Sequence, residues 1–410
     1  MHEMLQALSS RRFAAPSNCL RYRSVRRRLA SKATPNPIPA TFLRGGTSKG
    51  IFLNRDHLPG DRSQWASICL GIMGSPDTAN GLQINGMGGG ISSLSKICVV
   101  GAPSESQKAQ GLDAEYTFIQ VGIRDSAVEF SGNCGNLSSM VGAFALQEGI
   151  CSRDGAPVET TTRVFNTNTN SHIHTTFPVT SVSGRVVPKL DLPQTAVAGV
   201  PGKASQIILE FPKPAGALTS KLLPSGNPVD IIDVQARPGT RVPVSLVDAT
   251  NPTVFITLPD LTRILNIPPP FNIDFSNDAV LEFVESVRTQ SAIKMGLDPF
   301  AQAQPKVAVI SPPAAQDHDI YIQAYSMGVP HKAVPMTVGL CLGVAANIEG
   351  SLVQKIARGS ENRATSRGLL TMKHPSGSVE VGAEFEADGS VKSARTVRTG
   401  RWLMRGFVYW

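Results

Sequence analysis

No apolar run in this chain is long enough to span a bilayer, so no membrane segment is expected. Its six cysteines (Cys19, Cys69, Cys98, Cys134, Cys151 and Cys341) form no CxxC pair and have no zinc-ligand spacing. Scattered single cysteines point to free thiols in a reducing compartment. The acids show no paired-carboxylate motif, and no Ser–His–Asp arrangement can be argued from spacing. Charged residues are sparse at 17% against 41% hydrophobic, which excludes a disordered chain. The 410 residues suffice for two domains and a sizeable core.

Acid is nearly missing from residues 1–36. That stretch holds Arg11, Arg12, Arg21, Arg23, Arg26, Arg27, Arg28 and Lys32 against one carboxylate, Glu3. It therefore carries +7 of the net +8, and the remaining body is nearly neutral. A basic leader with Ser and Ala and almost no acid reads as an organelle transit peptide, with mitochondrial targeting expected and a cytoplasmic location otherwise. An unstructured basic tail or a misplaced start codon would give the same composition. A near-neutral body removes the main support for nucleic-acid binding.

What the chain does have is punctuation, 37 glycines and 30 prolines, which implies many turns and short strands. Residues 38–53 read as strand, glycine turn, strand. A helix is expected over 61–73. A glycine-rich loop (84–90) leads to the apolar strand "ICVV", and two strands follow within 114–130. After Cys134, apolar residues at Leu137, Met140, Val141, Phe144 and Ala145 have helical spacing, with Gly149 as a stop. Residues 155–260 look strand-rich, with helices expected at 259–266 and 278–297. Two strands, a buried helix over 331–350 and three closing antiparallel strands complete the chain.

The helix pattern "VGAFAL" (141–146) can be laid over "VGLCLG" (338–343). Counting back, Cys134 falls opposite His331 and Gly135 opposite Lys332. A duplicated unit of this kind would aim two helix N-termini at one cleft, suited to a small polycarboxylate.

Three stretches have chemical potential. In "NCGN", Cys134 stands at a helix start where a thiol can exchange protons, although a buried structural cysteine is equally compatible with the pattern. In "GMGGGISSLSK", glycines offer bare N–H groups, Ser92 a hydroxyl, and Lys96 a candidate general base. The alternative there is a glycine loop with a solvent-facing lysine, since neither Walker nor Rossmann spacing is met. In "MGVPHK", His331 and Lys332 suit anion binding or proton exchange, or form a surface pair at a turn. The "HIH" of residues 172–174 has metal spacing but lacks a third ligand, so no metal is expected.

Six pieces in fixed order, "FLRGGTSKG" (42–50), "INGMGGG" with "SK" (84–96), "SGNCGNLSS" (131–139), "SLVDATNPTVFI" (245–256), "SMGVPHKA" (326–333) and "HPSG" (374–377), resemble the methylaconitate isomerase (PrpF-type) family. That family includes oxalomesaconate tautomerases and methylitaconate and aconitate isomerases. The resemblance implies an α/β (α+β), diaminopimelate-epimerase-like fold: two pseudo-symmetric domains, each a curled sheet around a central helix. Their expected bounds are 37–195 with a returning strand at 396–410, and 196–395, after the leader 1–36. It implies a cofactor-independent isomerase of unsaturated di- or tricarboxylates acting by allylic proton transfer, working as a homodimer. By residue, it implies Lys96 as the principal acid/base with Cys134 in the site. It places Arg44, Thr47, Ser48, Lys49, Gly88, Gly89, Gly90, Ser92, Asn133, Gly135, Asn136, Met327, His331 and Lys332 around the substrate. The alternatives are a keto–enol tautomerase or epimerase on the same fold, or a catalytically silent accessory protein. One departure stands out: Gln323 occupies a position where relatives often carry arginine, which leaves the acid accepted open.

Overall fold

The computed structural model describes residues 34–269, 273–358 and 368–410, so the basic leader lies outside the described residues. The first half runs β1 (Ile38–Gly45), β2 (Ser48–Asn54), α1 (Trp65–Met73), β3 (Lys96–Gly101), α2 (Glu105–Ala109), β4 (Ala114–Val121), β5 (Val128–Glu129) and α3 (Gly135–Gln147). It continues through β6 (Glu159–Asn166), β7 (Ser171–Val182), β8 (Arg185–Pro188), β9 (Thr195–Val197), β10 (Val200–Ala204) and β11 (Ile207–Pro212). The second half runs β12 (Asp230–Asp233), β13 (Arg241–Ala249), β14 (Asn251–Thr257), α4 (Leu258–Leu265), α5 (Asp278–Met295), β15 (Lys306–Ser311), β16 (Ile320–Ser326), β17 (Val329–Pro330) and α6 (Met336–Ala345). It closes with α7 (Leu352–Arg358), β18 (Leu369–His374), β19 (Gly377–Phe385), β20 (Val391–Arg398) and β21 (Gly400–Val408).

The two halves repeat one pairing scheme. In the first, β2 and β3 are parallel, β3 and β4 antiparallel, β4 and β6 parallel. In the second, β14 and β15 are parallel, β15 and β16 antiparallel, β16 and β18 parallel. An antiparallel ladder between β11 and β20 joins them, and β21 returns to pair with β1.

Each sheet is apolar on both faces, which explains why its strands read as continuous hydrophobic runs such as "ICVV". Phe52, Cys98, Val100, Tyr116 and Phe118 pack on α3, while Ile51, Leu53, Ile97, Val99 and Ile119 pack on α1. In the second half Phe255, Ala308, Ile310 and Ile322 face α6, and Val254, Ile256, Val307 and Val309 face α4 and α5. A helix enclosed this way is buried all round, and every residue from Leu137 to Leu146 is. Fully burying side chains such as Phe144 or Leu137 contributes about 1.5–3 kcal/mol each.

The duplicated register holds inside the helices. A Cβ on Gly142 would meet Thr162 and Phe177 of β6 and β7, and one on Gly339 would meet Met372 and Val381 of β18 and β19. The expected helix over 331–350 is shorter, however. Pro335 has no N–H and forces Val334 out of helical geometry, so α6 starts at Met336, about a turn later than its counterpart. His331, opposite Cys134 by register, is left in the preceding loop.

Candidate active site

The helix starts of α3 and α6 meet. A Cβ on Gly135 would lie 3.5 Å from Met336 Cγ. Cys134 is the N-cap of α3 and Pro335 that of α6, and neither donates a side-chain cap. The first N–H groups of both helices are thus left for a ligand, and both dipoles present their positive ends there. A cavity of about 380 Å³ opens at this point, lined by Thr47, Cys134, Gly135 and Asn136 on one side and Ala333, Val334 and Met336 on the other. Val197 to Gly199, His374, Ser376 and Arg398 complete much of its wall.

The β1–β2 turn fixes one side. Gly45 has no room for a side chain, since a Cβ would sit 2.2 Å from the Asn136 carbonyl oxygen. Gly46 adopts φ +49°, and its N–H donates to Thr399 O at 2.9 Å. That closeness lets Asn136 Nδ2 donate to Thr47 Oγ1 at 3.0 Å and approach Ser48 Oγ at 3.4 Å. Cys134 Sγ lies 3.7 Å from the same Ser48 hydroxyl. Asn133 Oδ1 accepts from the Cys134 N–H at 2.8 Å and from Tyr116 Oη at 3.0 Å, which pins the helix start to β4. Gly45→Ala is expected to destabilise the fold by about 1–3 kcal/mol, because the helix start must retreat. A fall in the urea midpoint together with a raised KM checks this; an unchanged midpoint contradicts it.

Arg398, at the end of β20, is the cation of the cavity and is only 6% exposed. Its Nε donates to Asn136 Oδ1 at 3.1 Å, and its Nη1 to Val397 O at 2.7 Å and Thr396 Oγ1 at 3.1 Å. Its Nη2 reaches Met336 Sδ at 3.1 Å, so one guanidinium touches both helix starts. No carboxylate pairs with it among the described residues. Burial pulls its pKa down to about 10, with Cys134 acting the other way, so it stays charged at neutral pH.

His374 lines the same wall. Burial holds its pKa below the usual histidine value, aided by Arg398 and His331. Its Nδ1 accepts from the Ser376 N–H at 3.2 Å, which leaves Nε2 as the protonated nitrogen of the neutral ring. His331 is held similarly, its Nδ1 accepting from Ala333 N–H at 3.1 Å. Ser376 Oγ donates to the Lys332 carbonyl, tying the two loops together.

Lys96 opens β3 on the face turned to α3 and is 8% exposed. Its Nζ donates to Gln120 Oε1 and lies 5.2 Å from the Phe118 ring centroid. Gln120 is itself fixed, because its Nε2 donates to Ser95 O at 2.9 Å and Ser92 O at 3.2 Å. Cys98 links this layer to the cavity: burial pushes its thiol well above the usual range, with Cys134 raising it and Lys96 lowering it. Lys96 therefore neighbours the cavity wall without lining it.

The residues singled out from sequence divide accordingly. Thr47, Cys134, Gly135 and Asn136 line the cavity, with Ser48 and Asn133 bonded behind them. Arg44 faces another groove, where its Nη1 donates to Thr399 O, and burial with neighbouring Arg401 lowers its pKa. Lys49 rides over Phe42 at 5.6 Å. Gly88 closes on Gln83, Gly89 on Leu94 and Gly90 on Gly81, with the Gly90 N–H donating to Gln83 Oε1 at 3.1 Å. Ser92 is bonded through its carbonyl to Gln120, Met327 is exposed at a turn with φ +56°, and Lys332 is exposed. Gln323 is buried and braces the His331 loop, its Nε2 donating to His331 O at 3.0 Å. Arg398 was not legible as a site residue; "HPSG" was a visible motif whose His374 and Ser376 had no assigned place. His172 and His174 lie in β7, and no group of three metal-ligating side chains occurs among the described residues. No helix among them is long and apolar enough to cross a membrane.

The chain is similar to the 3-methylitaconate isomerase of Eubacterium barkeri, 33% identical over 393 residues that cover 91% of this chain and 97% of that protein. It is 35% identical to the 2-methyl-aconitate isomerase of Shewanella oneidensis, over 90% of this chain and 96% of that one. The crystal structure of methylitaconate-delta-isomerase superposes with a TM-score of 0.77 at 30% identity, covering 92% of this chain and 96% of that one. The fold is thus the diaminopimelate-epimerase-like one, with a helix at the centre of each half. With a family model described as PrpF protein matching residues 36–410, the chain belongs to the PrpF family and is an isomerase.

Proposed function

We propose that this cavity binds an unsaturated di- or tricarboxylate of the methylaconitate or methylitaconate type and shifts its C=C bond by allylic proton transfer. The observation that carries this reading is Arg398: a buried guanidinium with no carboxylate partner among the described residues, set between two uncapped helix starts. A buried cation between two positive helix ends attracts an anion, and convergent N–H groups fit a carboxylate.

Lys96 is the base in this reading. Its Nζ swings from Gln120 Oε1, behind the cavity wall, toward the substrate, and its lone pair takes the proton from the carbon beside the double bond. The electron pair left behind spreads through the double bond into a carboxylate as a dienolate. Arg398 and the N–H groups of Gly135 and Asn136 stabilise the developing charge. Neutral His374 offers its Nε2–H as a further donor. Reprotonation at the far carbon moves the double bond, and rotation within the intermediate gives cis/trans exchange. Cys134 borders the reacting carbons without being the principal base. A two-thiol epimerase is disfavoured, because the register counterpart of Cys134 is His331.

Proton NMR in D₂O with 2-methylaconitate, 3-methylitaconate and cis- and trans-aconitate tests this. The expected result is a shifted double bond with deuterium at the γ-carbon in at least one acid. Deuterium only beside a ketone in oxo-acid controls, with no turnover of the panel, points to tautomerisation instead.

A further inference from the structure

The duplicated topology gives Lys96 a counterpart that the reaction scheme above leaves unused. Lys96 is the first residue of β3, and Lys306 is the first residue of β15, the matching strand of the second half. Both strands are parallel to the preceding strand of their half and antiparallel to the next. Lys96 pairs across the ladder with Gln120, and the register Val307↔Tyr325 sets Lys306 opposite Ser326. The side chains repeat the relation: Lys96 Nζ donates to Gln120 Oε1, and Lys306 Nζ donates to Ser326 Oγ at 2.7 Å. Each lysine thus rests on a neutral acceptor supplied by its cross-strand partner.

The facing also repeats. Cys98 and Val100, alternating with Lys96, pack on α3. Ala308 and Ile310, alternating with Lys306, pack on α6, while Val307 and Val309 face the outer helices. Both lysines therefore sit on the helix-facing side of the first position of their strand, Lys96 close to the α3 start, where a Cβ on Gly50 would meet both Lys96 O and Leu137, and each lies behind the residues that line the cavity between the two helix starts. Lys306 is half-buried and makes no ion pair among the described residues. Burial lowers its pKa from the ordinary lysine value, which eases loss of its proton.

We infer that Lys306 is the second proton-transfer group of the reaction, acting on the opposite face of the substrate from Lys96. This rests on the isomerase reading above. Lys96 takes the allylic proton, and the C–H electron pair enters the dienolate. The Lys306 ammonium gives a proton to the far carbon, forming the new C–H bond as its N–H bond breaks. One proton has then moved from Lys306 to Lys96, and exchange with solvent restores both. In the reverse reaction the roles swap.

Lys306→Met and Lys306→Arg, assayed with 2-methylaconitate and 3-methylitaconate, decide the matter. Proton transfer by a placed group is worth about 10²–10⁴-fold, so both variants should lose about 10²-fold or more in kcat, with KM within about threefold. Arginine keeps the charge but does not give up a proton, so recovery in Lys306→Arg overturns the inference in favour of carboxylate binding. Near-normal kcat in both variants also overturns it. Wild-type enzyme given substrate deuterated at the allylic carbon supplies a measurement independent of variant folding. No label should reach the far carbon, and any transfer there indicates one shared base. Failure of Lys306 alone leaves wild-type turnover intact, whereas failure of the isomerase reading abolishes turnover of both acids.

Discussion

Lys96→Ala is expected to lower kcat by about 10²–10⁴-fold, the usual contribution of a positioned acid/base group. Cys134→Ser should lose far less, because a serine hydroxyl still fits beside Ser48 and the α3 start is held by Asn133 and Ser138 rather than by the thiol. The alanine variant has a structural cost to separate from the chemical one. Gln120 Oε1 loses its donor in a part-buried site, a loss of about 1–3 kcal/mol when no water replaces it. Lys96→Met fills more of the space beside Phe118 and Cys98, and should match the alanine variant in kcat while melting closer to wild type. Gln120→Leu should reduce kcat with little change in KM, since it frees Nζ from its fixed position without touching the cavity wall. If Lys96→Ala and Lys96→Met retain near-normal turnover while Cys134→Ser abolishes it, a cysteine-centred mechanism takes the place of this one.

Much of the scaffold was legible because its signals are local. The 3.6-residue spacing from Leu137 to Ala145 marked α3, and Gly45 and Gly46 marked the turn that admits its N-terminus. The glycine loop at 86–90 was legible as a loop but not in its contacts. Its glycines make room for Gln83, Leu94 and the end of α1, a packing relation that a run of glycines does not distinguish from ligand binding. Pro335 was visible in the sequence, yet the apolar run across it concealed the late start of α6. Arg398 had no local signal at all. It lies 262 residues from Asn136, and the return of β20 to β11 and of β21 to β1 brings the two together. A lone arginine in an alternating strand reads as a solvent-facing residue until the fold shows what covers it.

Arg398→Met should raise KM for a polycarboxylate by about 10–10²-fold, because hydrogen bonds to a charged group are worth about 1.5–3 kcal/mol. It should also lower kcat to the extent that charge reaching the carboxylate in the dienolate exceeds that in bound substrate. Stability should move the other way. In the free protein this guanidinium is desolvated with no carboxylate beside it among the described residues, so an apolar side chain of similar length relieves that penalty. The melting temperature of the free variant is therefore expected to equal or exceed that of wild type. Ligand linkage gives the sharper measurement. A saturated analogue such as tricarballylate, which has no double bond to shift, should stabilise wild type by about 2.7 kcal/mol at a hundredfold excess over Kd. Arg398→Met should lose most of that shift, and Arg398→Lys should keep part of it, since an ammonium keeps the charge but not the fork that spans Asn136 and Met336. The pH dependence has a defined sign: with the pKa near 10, binding should hold through neutral pH and weaken only as pH approaches that value. An Arg398→Met variant that binds tricarballylate as wild type does, with unchanged KM, would remove the guanidinium from the site and with it the main support for a carboxylate substrate.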